Sequence, residues 1–237
     1  MSMLEGAYAD IGDGQRIHYH EAGQGPPVVF VHGSGPGAAG LSNFGGNLPY
    51  FAEQGFRALA PDTLGYGYSS KPADATYPLE TMVDALRRFA DALDLGPLTL
   101  VGNSMGGAMA LLFALQWPER VERLILMAPG GLEERDVYME MRGIRRMLRC
   151  IYGPEGITRE GLAKVFELQL YDPSTVTDQV LTERLEIALS QPRSVFETSR
   201  VPNLAGRLGE VTCPVLGLWG ADDQFCPVSG AATLAAG

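Results

Sequence analysis

Gly102-Asn103-Ser104-Met105-Gly106 places a serine between two glycines, with the apolar run Leu98-Thr99-Leu100-Val101 just before it and a helical pattern from Met105 to Gln116 after it. A strand that reverses sharply into a helix needs residues without a Cβ on either side of the bend, so this spacing can hold Ser104 in a strained conformation with its hydroxyl exposed. The helix start contributes positive dipole, and the Met105 amide can donate to an oxyanion forming beside the serine. The chemistry predicted is nucleophilic attack by Ser104 on a carbonyl. A solvated serine in a glycine-rich turn is the competing reading, and the agreement of strand, bend and helix argues against it.

His32-Gly33-Ser34-Gly35-Pro36-Gly37 follows a second apolar run, Val28-Val29-Phe30-Val31. Gly33 and Gly35 let the backbone approach a reacting carbonyl closely, and Ser34 is the expected second oxyanion donor. A phosphate-binding loop would need a following Gly-Lys-Ser/Thr, which is absent. His32 is expected to brace this loop rather than to act as the base.

These groups must be carried by a scaffold. Ala58-Leu59-Ala60 and Leu124-Ile125-Leu126-Met127 join the two runs above as strands buried on both faces, because they are continuous rather than alternating, and Val215 to Trp219 is a later fifth. Leu79, Met82, Val83, Leu86, Phe89, Ala90 and Leu93 fall at helical spacing before Gly96-Pro97. The alternation of strand and helix predicts an α/β fold with a mostly parallel sheet. Ile17-His18-Tyr19-His20 alternates instead, which suits an antiparallel edge hairpin around Gly12-Asp13-Gly14 and leaves His18 and His20 exposed rather than ligating zinc. From Leu132 to about Arg207 helical patterning replaces strands. The expected division is therefore a first core part over 1–131, a helical lid over 132–207 and a second, incomplete core part over 208–237.

The chain has 237 residues, a net charge of -10 and a sequence pI near 4.8, with no Lys/Arg-rich stripe to displace counterions from a nucleic acid. Cys150, Cys213 and Cys226 are an odd number without metal-like spacing, which fits a reducing compartment and a cytoplasmic protein. No secretory signal or spanning segment is expected.

The glycine-rich loop, Ser42-Asn43-Phe44, Asp62 to Ser70, Gly102 to Gly107 and Trp219-Gly220-Ala221-Asp222-Asp223 resemble, in order and spacing, the meta-cleavage-product hydrolases of the α/β-hydrolase superfamily. Those enzymes hydrolyse a carbon–carbon bond in 2-hydroxy-6-oxo-dienoates during aromatic degradation. The resemblance implies that Asn43 and Asn103 contact the polar end of the substrate, that Asp223 orients the catalytic imidazole, with Asp222 a solvated neighbour, and that the active form is a homo-oligomer needing no cofactor or metal. Arg184, seven residues before Gln191, lies on the helical face of Leu181, Leu185 and Ala188, where a guanidinium needs an anionic partner. The resemblance makes that partner the substrate carboxylate. Gln169 and Leu41 depart from the aromatic residues of biphenyl-type members, which leaves the substrate side chain open.

The superfamily places its histidine after the acid, whereas this sequence has only His18, His20 and His32, all before Ser104. A C-terminally truncated chain, lacking the last strand and helix, is the expectation. A carboxylesterase or lactonase of the same fold, and a noncatalytic binding protein, stay open.

Overall fold

The computed structural model describes residues 4–237. Seven strands, β1 (Gly6–Gly12), β2 (Gln15–Ala22), β3 (Pro27–Val31), β4 (Arg57–Pro61), β5 (Leu98–Asn103), β6 (Val121–Met127) and β7 (Val215–Leu218), form one sheet in the order β1-β2-β4-β3-β5-β6-β7. β1 and β2 are an antiparallel hairpin and β2 runs antiparallel to β4, while every later pair is parallel. The predicted mostly parallel α/β sheet is therefore present, with the hairpin at one edge.

Two short helices, α1 (Gly40–Phe44) and α2 (Asn47–Glu53), cover one face of the sheet. Phe44 and Leu48 pack there with Val28, Phe30, Ala58, Ala60 and Val101. α3 (Leu79–Ala92) and α4 (Met105–Gln116) cover the other. α3 buries the stripe read from its spacing and turns Asp84, Arg87, Arg88 and Asp91 outward into ion pairs of roughly 0.3 to 0.5 kcal/mol each. α4 is apolar all round because it lies between the sheet and α3, so it has no solvent face to make polar.

Between β6 and β7 the chain runs through α5 (Arg135–Glu140), α6 (Arg142–Tyr152), α7 (Arg159–Gln169), α8 (Asp178–Ser190) and α9 (Arg193–Thr198), and α10 (Ser229–Ala236) follows β7. No helix among the described residues is long and apolar enough to cross a membrane.

Two expectations need correction. Ile125 and Met127 of β6 are only partly covered and β7 is exposed along its length, because among the described residues β7 has a sheet neighbour on one side only. His18 and His20 are buried, not exposed. β2 is not the edge strand, and the rings of Tyr8, His20 and Tyr68 close around His18 at centroid distances of 5.0, 4.9 and 5.3 Å. Alternation along a strand predicts exposure only where nothing is laid over the outer face.

Candidate active site

Ser104 sits between β5 and α4 with φ 53° and ψ −118°, a left-handed backbone that L residues rarely adopt. The strain is over-determined by the flanking glycines. A Cβ on Gly106 would lie 2.1 Å from the Val31 carbonyl oxygen, and one on Gly102 would lie 2.4 Å from that of Gly106. The bend is thus clamped between β3 and α4. The Ser104 amide donates to the Met127 carbonyl at 3.0 Å, and its own carbonyl accepts from Ala108 and Gly130. Ser104 is partly exposed and lines a cavity of about 1060 Å³. The Met105 amide is at the first position of α4, where no intrahelical acceptor exists, and the Ser34 amide makes no hydrogen bond among the described residues.

The loop after β3 is held in place from behind. His32 is buried, its Nδ1 donates to the Gly33 carbonyl at 2.8 Å, and its Nε2 accepts the Thr63 amide at 3.0 Å. Accepting at Nε2 requires the neutral ring, and burial lowers the His32 pKa below its ordinary value. His32 therefore braces the loop, as expected. Gly33 packs against Asn103 and Ser104, and Gly35 lies beside the Arg184 guanidinium.

Arg184, on α8, is 6 % exposed. One of its terminal nitrogens donates to Ser42 Oγ and Asn43 Oδ1, each at 3.1 Å, the guanidinium stacks 5.2 Å from the Phe166 ring centre, and Nε has no partner. No carboxylate pairs with it among the described residues. Burial alone pulls its pKa down to about 10, which leaves it charged at neutral pH. Arg184, Asn43, Asn103, Gly33, Ser34, Gly35 and Ser104 all face the same cavity.

Asp223 lines the same cavity. Its Oδ1 accepts the amides of Phe225 and Cys226 at 2.8 and 2.9 Å, and Oδ2 has no partner among the described residues. Asp222 is exposed and bound to Gln224. The turn that Asp223 closes brings the Cys226 thiol to 3.8 Å from Ser104 Oγ, the one hydrogen-bond partner of that hydroxyl among the described residues. Burial, with Asp223 nearby, pushes the Cys226 thiol up to about 12, so it stands there as a neutral donor.

Neither His18 nor His32 is available to Ser104. His18 Nδ1 is bound to Asp62 Oδ2 at 2.8 Å, and His32 is committed as above. Burial would raise the Asp62 pKa, but hydrogen bonds from His18 and from the Tyr68 and Gly40 amides outweigh it and hold the carboxyl low. Asp62 thereby fixes the start of α1, the helix that carries Ser42 and Asn43. Sequence reasoning missed this role and the Cys226 contact. The first was hidden inside a motif quoted only as resemblance, and the second depends on a bend that brings together residues 122 apart.

A family model described as the alpha/beta hydrolase fold matches residues 26–148. The 2-hydroxy-6-oxo-6-phenylhexa-2,4-dienoate hydrolase of Comamonas testosteroni is 36 % identical over 221 residues, covering 90 % of this chain and 76 % of that protein. The 2-hydroxy-6-oxononadienedioate/2-hydroxy-6-oxononatrienedioate hydrolase of Burkholderia vietnamiensis is 37 % identical over 224 residues, with the same shares covered. The structure of a meta-cleavage product hydrolase from Pseudomonas fluorescens IP01 superposes with a TM-score of 0.83 at 26 % identity over 98 % of this chain and 85 % of the other. For the 2-hydroxy-6-oxo-6-phenylhexa-2,4-dienoate hydrolase of Rhodococcus strain RHA1 the TM-score is 0.84 at 26 % identity, covering 98 % and 86 %. A strained serine at a strand-to-helix bend, a glycine-rich loop behind it and an unpaired arginine over the same cavity accompany these matches, and the chain belongs to the α/β-hydrolase fold family, among the meta-cleavage product hydrolases.

Proposed function

We propose that the chain carries the nucleophile and substrate-binding machinery for hydrolysing the carbon–carbon bond beside the 6-oxo group of a 2-hydroxy-6-oxo-dienoate. The observation that carries this is Arg184, a buried guanidinium with no carboxylate beside it among the described residues, lining the cavity of Ser104. A cation so placed is completed by an anionic ligand, and its planar fork suits a carboxylate and the adjacent enol oxygen. Arg184, with Asn43 and Asn103, would hold the acid end and so place the ketone at Ser104. The helices between β6 and β7 would act as the lid.

Ketonisation moves the enol proton onto C5, after which Ser104 Oγ adds to the C6 carbonyl and the Ser34 and Met105 amides receive the oxyanion. Collapse breaks the C5–C6 bond, with the electron pair delocalised into the 2-oxo acid that Arg184 holds, and water releases the second acid from the serine. Loss of the Ser104 proton calls for an imidazole oriented by an acid, and the free Oδ2 of Asp223 supports that role for it. The substrate is a small anion needing no cofactor. The three free thiols support a cytoplasmic setting, and the family likeness supports a homo-oligomer.

The test is the bleaching of a coloured 2-hydroxy-6-oxo-dienoate by the protein expressed from its full reading frame, beside hydrolysis of a neutral p-nitrophenyl ester. The dienoate is expected to have the higher kcat/KM, by about a hundredfold or more. A higher kcat/KM for the ester would overturn the proposal in favour of a carboxylesterase.

A further inference from the structure

Gly37 closes the loop that carries Ser34, and it is met at two points by one element. Its φ is +71°, and a Cβ there would lie 2.0 Å from the Arg184 carbonyl oxygen, so the loop backbone is pressed directly onto the backbone of α8. Its amide donates to Gln191 Oε1 at 2.7 Å, across 154 residues of sequence. Gln191 stands just past the end of α8, its own amide bound to the Ala188 carbonyl and its φ and ψ extended before Pro192. Arg184 on α8 and Gln191, the first residue beyond the helix, belong to one continuous segment, and both reach the same glycine.

Gln191 is 8 % exposed and its Nε2 has no partner among the described residues. The carboxamide uses its acceptor and leaves its donor idle, so what an apolar isostere would forfeit is the partner of the buried Gly37 amide. What it supplies is one acceptor, aimed at the one amide of the loop that α8 must catch.

We infer that Gln191 is a positioning residue, which acts through Gly37 to set the Ser34 amide against the oxyanion and ties that setting to the helix that carries Arg184. The inference rests on the roles given above to Ser34 and Arg184. Its physical content is that the grip on the acid end and the donor at the reacting carbonyl share one continuous support, so that neither is adjusted without the other. Since Arg184 itself is untouched, loss of Gln191 acts on the transition state more than on ground-state binding.

The experiment compares Gln191→Met, which keeps volume and removes the acceptor, with Gln191→Glu, which keeps the acceptor. Hydrogen exchange of the peptide spanning residues 33–38 is expected to accelerate in the Met variant and return toward wild type in the Glu variant. In the same proteins, kcat for the dienoate is expected to fall by roughly ten- to a hundredfold in the Met variant, with KM within about twofold, and to recover in the Glu variant. Affinity for a trifluoromethyl ketone, whose adduct bears an oxyanion, is expected to fall in parallel with kcat. Wild-type exchange in the Met variant overturns the inference, as does faster exchange with kcat unchanged or a rise in KM alone. If the Met variant does not fold, Gln191→Asn, whose shorter arm withdraws the acceptor, takes its place. Exchange needs no turnover, so a wild type inactive on the dienoate sinks the proposed function while the clasp is still decided.

Discussion

The two flanks of Ser104 are held in different ways. On one side, the Gly33–Gly37 loop is fixed from the segment after β4 through Thr63 and His32, from α8 and the residue after it through Arg184 and Gln191, and from the bend itself through Asn103 and Ser104. On the other, Asp223 is fixed by amides two and three residues ahead in its own turn, and the strand leading to it is exposed. The side proposed to receive the oxyanion and hold the carboxylate is tied to several elements far apart in sequence, whereas the Asp223 carboxylate is held within its own turn, which meets the rest of the molecule through the Gly143 amide on the Gln224 carbonyl and the Cys226 thiol beside Ser104. A lesion on the first side should therefore spread, and one on the second should stay where it is made.

The largest effect tests the hinge between the flanks. Ser104→Ala is expected to lower dienoate bleaching on the order of 10⁴-fold or more, with the circular dichroism spectrum unchanged; near-normal bleaching would remove Ser104 from the chemistry. Next is Arg184→Met, expected to lower kcat/KM for carboxylate substrates about a hundredfold while leaving neutral esters within a few-fold. Its melting temperature should hold or rise, because an uncompensated buried charge has been replaced by an apolar chain. Equal losses on both substrates, or a large fall in melting temperature, would make Arg184 a structural residue.

A matched pair of glycine changes addresses the comparison directly. Gly37→Ala sets a Cβ against the Arg184 carbonyl at a positive φ and is expected to cost about 1 to 3 kcal/mol by chemical denaturation. Gly220→Ala, where a Cβ meets nothing within 4 Å, should stay within about 0.5 kcal/mol. Similar losses at the two positions would erase the distinction.

The smallest effect is one of pH. Burial lowers the pKa values of His20 and His32 from the ordinary 6.5. The unfolded chain then binds protons that the folded one does not, so their contribution to stability is complete above 6.5 and is lost as the pH falls from there toward the folded-state values. The denaturant midpoint should be lower at about pH 5.5 than at about pH 8, with exchange rising first at residues 33–38, where protonation of His32 breaks its bond from the Thr63 amide. A midpoint independent of pH would mean that neither ring is held neutral.

The sheet and the bend were legible because each is a local statement. β3, β4, β5 and β7 lie where the apolar runs predicted strands, β6 contains the fourth run, and α3 and α4 match their periodicity to within two residues. The strain at Ser104 followed from the two glycines around it. Arg184 could be placed on a helix face, and its neighbours there were right, but its protein partners turned out to be Ser42 and Asn43, which no helical spacing can reveal. The burial of His18 and His20 was hidden for a similar reason, since Tyr68 and the Asp62 turn that cover them are some forty residues and more away. Gln191 was visible only as a marker beside a proline, and its bond to Gly37 exists only once α8 is laid over the loop.

A largely buried cation with no carboxylate beside it among the described residues makes the form without an anionic ligand the less stable one. Any small carboxylate that fits should settle there, so acetate or citrate in an assay buffer would compete with the true ligand and flatter the thermal stability of the preparation. Inside a cell the same linkage ties the protein's lifetime to its supply: molecules made before the organic acid is present would be the first to unfold.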